Sequence, residues 1–227
     1  GDYRAGVVQS DAVVATGAVV ATGAVAAADA VVAGGGVTQD VLFRLVLGLV
    51  LSSAIGFVAY RRGSLAGSGV GGAVLIGTTI FGFGGWVRGL LLIAFFVSSS
   101  ALSHYRKTQK AALAEKFAKG SRRDLSQTLA NGGVAALLAV LIGLAGSDVA
   151  FYPVLALGFL GALATVNADT WATELGVLAR RSPRLITTGR PVPVGTSGGI
   201  TRTGTLAALA GALLIGAAAF VLIQLAA

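Results

Sequence analysis

The sequence predicts an all-α fold, a polytopic helical bundle integral to a membrane. Three observations carry that prediction. Of the 227 residues, 55% are hydrophobic and 11% charged, whereas a soluble domain carries about 25% charge. Mean hydropathy is +0.85. Apolar runs long enough to cross a bilayer recur along the chain, and the loops between them collect nearly all the cations. Six spans are expected, at 41–60, 69–87, 89–103, 127–146, 149–166 and 204–226.

Residues 1–36 form a low-complexity Ala/Val/Gly tract in which AVVATG occurs at 12–17 and again at 18–23. A seventh span follows if 12–33 inserts. Its glycines and Asp29 oppose that, since a carboxylate at a helix centre costs about 2.5–3.5 kcal/mol on insertion scales. The tract has the pattern of neither a signal peptide nor a transit peptide. Residues 37–227 are read as one integral membrane domain. FGFGGW at 81–86, followed by Arg88, separates the second and third spans. It reads as a tight hairpin, with a re-entrant break as the alternative. The third span is short, roughly 22 Å as a helix. Glycine and alanine recur in GVGGAVLIG (69–77) and GTLAALAGALLIG (204–216), which lets helices approach closely in lipid. Gly67–Gly72 matches G-x-G-x-x-G but follows no strand, so it is read as a packing surface rather than a dinucleotide site.

The net charge is +8, and fourteen of the seventeen Lys and Arg residues lie in 61–68, 104–126 and 167–203. On a soluble domain such charge would suggest nucleic acid. Between apolar spans it marks cytoplasmic loops, so no nucleic-acid partner is expected. The same cations attract anionic membrane lipids, at roughly 1 kcal/mol each. The expected location is the inner membrane of a prokaryotic cell, with the site on the cytoplasmic face. Tyr60, Trp86, Tyr105, Tyr152 and Trp171 fall near span ends, as interfacial belt residues do. The absence of cysteine and the single histidine, His104, exclude disulfides, thiolate metal sites and multi-histidine sites.

Chemistry concentrates in 167–199, NADTWATELGVLARRSPRLITTGRPVPVGTSGG. Asn167, Asp169 and Glu174 supply the hard oxygens that Mg²⁺ takes, usually with one or two carboxylates plus phosphates. On a continuous helix Asp169 lies about 140° from Glu174, so both meet one ion only if the helix breaks or begins near Asp169. The alternative is that Asn167 or Asp169 caps a short helix. A turn such as Gly195–Thr196–Ser197–Gly198–Gly199 brings backbone N–H groups against phosphate oxygens. The alternative there is an ordinary turn into the last span. It is not a Walker A motif, because no lysine follows. Lys116, Lys119, Arg122 and Arg123 belong either to a solvated, lipid-facing basic segment or to one that leans over the site and offsets triphosphate charge.

NADTWATELG together with PRLITTGRPVPVGTSGG resembles the signature of the phytyl-phosphate kinase family of integral membrane proteins. The likeness runs from about residue 40 to the C-terminus and takes in YRRGSLAGSG, FGFGGW and the KFAKGSRRD and LANGG segments. Many members of that family continue into a further segment with a Gly-Ser-x-x-Asp-Ser pattern and another span, which this sequence does not reach. The resemblance implies a kinase that moves a phosphoryl group from a nucleoside triphosphate, CTP or ATP, to an isoprenyl monophosphate such as phytyl phosphate. In that frame Asp169 and Glu174, with Asn167, would hold Mg²⁺. Gly195 to Gly199 would cradle phosphate, and Arg190 with Arg184 would offset developing charge. The alternatives are a polyprenol kinase, a cytidylyltransferase-like lipid enzyme, or an ion-coupled transporter with Asp169 and Glu174 as its ion site. The D-G-x-x-A-R and aspartate-rich motifs of other lipid enzymes are absent, and no inverted repeat is visible.

Overall fold

The structure is a computed structural model that describes residues 39–106, 108–110, 122–145 and 150–226. The 1–36 tract, Lys116 and Lys119 lie outside the described residues. Among the described residues five long helices form: α1 (Gln39–Arg61), α2 (Gly67–His104), α3 (Leu125–Ala145), α4 (Tyr152–Gly176) and α5 (Arg202–Ala226). All five are long and apolar enough to cross a membrane. A two-residue antiparallel pair, β1 (Arg184–Leu185) with β2 (Gly199–Ile200), braces the loop before α5.

Helix α2 crosses twice. As a straight helix its 38 residues would reach about 57 Å. Yet His104 Nε2 lies 2.9 Å from the carbonyl oxygen of Arg62, a residue just before the start of α2. Gly85 is the break, with φ 74° and ψ −173° inside an otherwise helical run. The chain reverses there, so 67–84 and 86–104 are two arms packed side by side. A Cβ on Gly89 would fall 2.5 Å from the Phe81 ring, an approach impossible eight residues apart on one straight helix. The FGFGGW segment is therefore a hairpin, and six crossings result among the described residues. The second arm runs 86–104 rather than 89–103, about 28 Å, so it needs no special accommodation.

On the two outer-sequence helices, α1 and α5, the buried stripe is made mostly of small residues and the exposed faces carry large ones. Buried positions on α1 are Gly48, Ser52, Gly56 and Ala59, and on α5 Gly204, Ala207, Gly211, Ile215 and Ala219. Each set recurs every three or four residues, one stripe per helix. Leu206, Leu213, Phe220 and Leu225 on α5 point outward, as expected where lipid is the solvent and helix contact comes from close packing. From Arg44 onward the chain is one compact unit, with Ile80, Leu91, Phe159, Leu163 and Ile215 at its centre. Tyr60, Trp86, Tyr105 and Tyr152 lie at helix ends. Trp171 instead turns inward, its Nε1 donating to Ser98 Oγ at 3.4 Å.

The six crossings gather the basic segments at one end. Arg62 meets His104. Residues 64–66 run parallel to 122–124, with Ala66 N donating to the Arg123 carbonyl at 2.9 Å and Arg123 N to that of Ser64 at 3.1 Å. Asp124 then caps α3, its Oδ1 accepting from Gln127 N at 2.9 Å, a usual N-cap contact. The opposite end holds the Gly85 turn, where Arg88 donates to the Gly84 carbonyl and to Tyr152 Oη.

Gly69 sits where α2 crosses the 122–124 segment, and a Cβ there would overlap the Arg123 carbonyl oxygen. Gly69→Ala is expected to destabilise the protein by about 1–3 kcal/mol, the usual cost of overpacking against backbone. Gly71→Ala, which meets nothing within 4 Å, should not. Thermal melts of the two variants in detergent measure the difference.

Candidate functional site

A polar cluster lies inside the bundle at the basic end. It starts from SSSALSH, 98–104, on the second arm of α2. Hydroxyls at Ser99 and Ser103 are one helical turn apart and share a face. α4 runs alongside and presents Asn167, Trp171 and Glu174 to that face. Asn167 is fully buried. Its Oδ1 accepts from Ser98 Oγ at 3.2 Å and Ser99 Oγ at 3.4 Å, and its Nδ2 donates to the Gly211 carbonyl at 2.7 Å. The amide therefore pins α2, α4 and α5 together. Burial without these bonds would cost about 1–3 kcal/mol per group.

Two turns further along α4, Glu174 closes the cluster. Oε1 accepts from Ser103 Oγ at 2.6 Å, and Oε2 from Lys110 Nζ at 2.5 Å. Lys110 Nζ also donates to the Leu102 carbonyl at 2.7 Å. The two charged side chains are 12% and 22% exposed, so their attraction is screened far less than at an open surface. Arg123 completes the group, with NH1 3.4 Å from Ser100 Oγ and NH2 3.5 Å from Ser103 Oγ. Burial lowers the pKa of its guanidinium and the Glu174 charge raises it, while arginine stays protonated throughout the physiological range. Two cations facing one carboxylate leave the cluster with net positive charge.

Arg123 belongs to a second environment as well. It is the charged residue lining a narrow, mostly apolar crevice between α1, both arms of α2 and α3, with about 70 Å³ of free space. Ile76, Phe81, Leu92, Phe95 and Phe96 line it.

The carboxylates read from sequence do not converge. α4 is continuous from Tyr152 to Gly176, which keeps Asp169 and Glu174 on different faces. Asp169 is exposed and has no partner among the described residues. A magnesium set made of Asn167, Asp169 and Glu174 does not fit this helix, because the first is enclosed by helix contacts and the third is bound to Lys110. Among the described residues no group of three or more His, Asp and Glu side chains comes together.

The 195–199 turn is tied to β1, with Ile186 N donating to the Gly198 carbonyl at 2.9 Å. Gly195 and Gly198 adopt φ 87° and 76°, a region that glycine enters without steric cost. Within the turn, Thr196 N and Oγ1 both donate to the Pro193 carbonyl, and Gly199 N to that of Thr196. Ser197 and Gly198 keep amides without acceptors among the described residues, and the tip is exposed. Arg184 NH1 donates to the Gly189 carbonyl at 2.8 Å, and Arg190 is exposed nearby on the same hairpin. The serines of 98–103 and Lys110 were not legible as site residues from sequence. Three consecutive serines inside an apolar span were the available signal, since polar groups at that depth need partners.

The DUF92 profile of integral membrane proteins matches residues 50–227. Protein PGR of Arabidopsis thaliana is 40% identical over 183 residues, which is 77% of this chain and 63% of that protein. An uncharacterized membrane protein of Methanocaldococcus jannaschii is 33% identical over 179 residues, 79% of this chain and 71% of its own length. Protein VTE6, chloroplastic, of Arabidopsis thaliana is 36% identical over 150 residues, 64% of this chain and 44% of that protein. The chain thus spans less than two thirds of both plant relatives. No solved structure matches it.

The ion pair between Lys110 and Glu174 ties the segment after α2 to the end of α4. Lys110→Met, Glu174→Gln and the double substitution form a cycle whose coupling energy is expected at about 1–3 kcal/mol. Melting in detergent measures it, and a coupling near zero would show the pair to be incidental.

Proposed function

The chain belongs to the DUF92 family of integral membrane proteins, and on that footing we propose that it is a membrane-embedded prenyl-phosphate kinase. It would transfer a phosphoryl group from a nucleoside triphosphate, ATP or CTP, to phytyl or a related isoprenyl monophosphate. The observation that supports this best is the double placement of Arg123. One guanidinium both lines an apolar crevice and belongs to a polar cluster with excess positive charge. An isoprenyl phosphate has that division, an apolar chain ending in an anionic head. The first carbons of the chain would enter between Phe81, Phe95 and Phe96, with the remainder in the bilayer because the crevice has only about 70 Å³ of free space, and the head would meet Arg123. The resemblance of the 167–199 segment to the phytyl-phosphate kinase signature supplies the reaction.

The acceptor's phosphate oxygen attacks the terminal phosphorus of the donor, the bond from that phosphorus to the bridging oxygen breaks, and a nucleoside diphosphate leaves. A phosphate monoester is already anionic near neutral pH, so no base has to remove a proton as it attacks. The obstacle is repulsion between phosphates, which calls for fixed cations. Lys110 and Arg123 supply them beside Glu174. That carboxylate, held by Lys110 and Ser103, orients the cations and is not free to act as a base. Of the carboxylates read from sequence, Asp169 alone is open to Mg²⁺, and one carboxylate with the donor's phosphates satisfies the usual habit of that ion. In this reading the basic end faces the cytoplasm of a prokaryotic cell, following the charge asymmetry of the loops.

Purified full-length chain in lipid, given Mg²⁺ and a radiolabelled nucleoside triphosphate, should convert phytyl phosphate to the diphosphate and leave phytol unchanged. Arg123→Ala should lower kcat/KM for the phosphate acceptor roughly 10- to 100-fold, the worth of charge-assisted hydrogen bonds, with partial recovery in Arg123→Lys. Phosphorylation of phytol, with none of phytyl phosphate, would replace this reading with a polyprenol kinase.

A further inference from the structure

Beyond the end of α4 the chain turns through Leu178 and Ala179 and enters an arginine-rich stretch. From 175 to 227 there are five arginines and no acidic residue. Four of them, Arg180, Arg181, Arg184 and Arg202, line one cleft of about 1030 Å³ between the 178–184 segment and the start of α5. All four are exposed, and none pairs with a carboxylate among the described residues. Arg184 donates one hydrogen bond, from NH1 to the Gly189 carbonyl.

We infer that this cleft is a binding site for a chain of phosphates. Four like charges around one opening repel each other, and a ligand with several negative charges relieves that where a single carboxylate or phosphate relieves only part. Arginine suits the task because its planar fork meets phosphate oxygens in pairs. The first turn of α5 adds to the field. Thr201 caps it, with Oγ1 accepting from Gly204 N at 3.0 Å, and the amides of Arg202 and Thr203 at the helix start have no intrahelical acceptor. Leu178, Ile200 and Leu206 form an apolar wall on the same cleft, suited to a nucleobase or to the root of a lipid chain. The shared chemistry is a di- or triphosphate, from a soluble nucleotide or from a diphosphate-headed lipid. For the nucleotide as occupant the inference rests on the kinase reading, in which the cleft takes the donor's triphosphate one turn of chain from Glu174. The anion site itself stands on the arginines.

The test uses the full chain in nanodiscs of zwitterionic lipid, titrated calorimetrically with inorganic tripolyphosphate. Wild type should bind, and Arg181→Gln with Arg202→Gln should weaken binding at least about 10-fold, since two charge-assisted contacts are lost. Arg61→Gln serves as control. It lies at the same end, over the Phe57 ring and outside the cleft, and should change affinity little. Unchanged melting temperatures confirm that each variant is folded. A second set of nanodiscs containing a diphosphate-headed lipid separates the sources. Loss of tripolyphosphate binding there assigns the cleft to the lipid, and retained binding assigns it to the nucleotide. Absence of binding in wild type, equal affinity in the cleft variants, or an equal loss in the control overturns the inference. Arginine-dependent binding without phosphoryl transfer keeps this site and removes the kinase reading. Transfer with an unchanged nucleotide KM in the cleft variants does the reverse.

Discussion

The polar end of this protein depends on a chain reversal at one residue. Gly85 holds φ 74° and ψ −173°, a conformation open essentially to glycine alone. Helix continues on both sides, so the reversal is abrupt and the two arms of α2 lie against each other. Because the second arm returns, the serines of 98–103 arrive at the end where the chain leaves α1, enters α3 and leaves α4. Were α2 straight, those hydroxyls and His104 would lie a bilayer's width from Arg62 and Arg123.

Packing then decides what the returned arm can do. In lipid, apolar burial gives helices little reason to associate, and close approach of small residues takes its place. Gly204 and Gly211 let α5 reach the backbone of α4, where a Cβ at Gly211 would stand 3.0 Å from the Asn167 carbonyl oxygen. That proximity puts the Gly211 carbonyl within reach of the Asn167 amide. Asn167 in turn fixes Ser98 and Ser99. The same alignment sets Glu174 beside Ser103 and Lys110, and it leaves Arg123 between a charged cluster and an apolar crevice. An arrangement of that kind separates a lipid's head from its tail, which is the physical core of the functional proposal.

Much of this was legible in the sequence because it rests on local rules. Hydropathy marked the spans, glycine and an arginine marked the hairpin, and loop charge grouped the three basic segments. Helical geometry alone put Asp169 about 140° from Glu174, and the continuous α4 keeps them apart. What sequence could not supply was partnership across distance. Asn167 and Glu174 read equally well as ligands until Ser98, Ser99, Ser103 and Lys110, more than sixty residues away, were seen to occupy them. Trp171 read as a belt residue for the same reason: its hydrogen-bond partner lies on another helix. Arg180, Arg181 and Arg202 looked like ordinary juxtamembrane cations, and only the fold of the 183–200 hairpin shows them sharing one cleft with Arg184.

The reversal at Gly85 is open to a direct distance measurement, since the chain has no cysteine and two can be introduced cleanly. Spin labels at Ser68 and Tyr105, in protein reconstituted into nanodiscs, report whether the two ends of α2 meet. Neighbouring helix axes lie about 8–10 Å apart, so with label arms included the account predicts a distribution centred near about 20 Å. A distribution near about 55 Å, the length of the same segment as one straight helix, would contradict it.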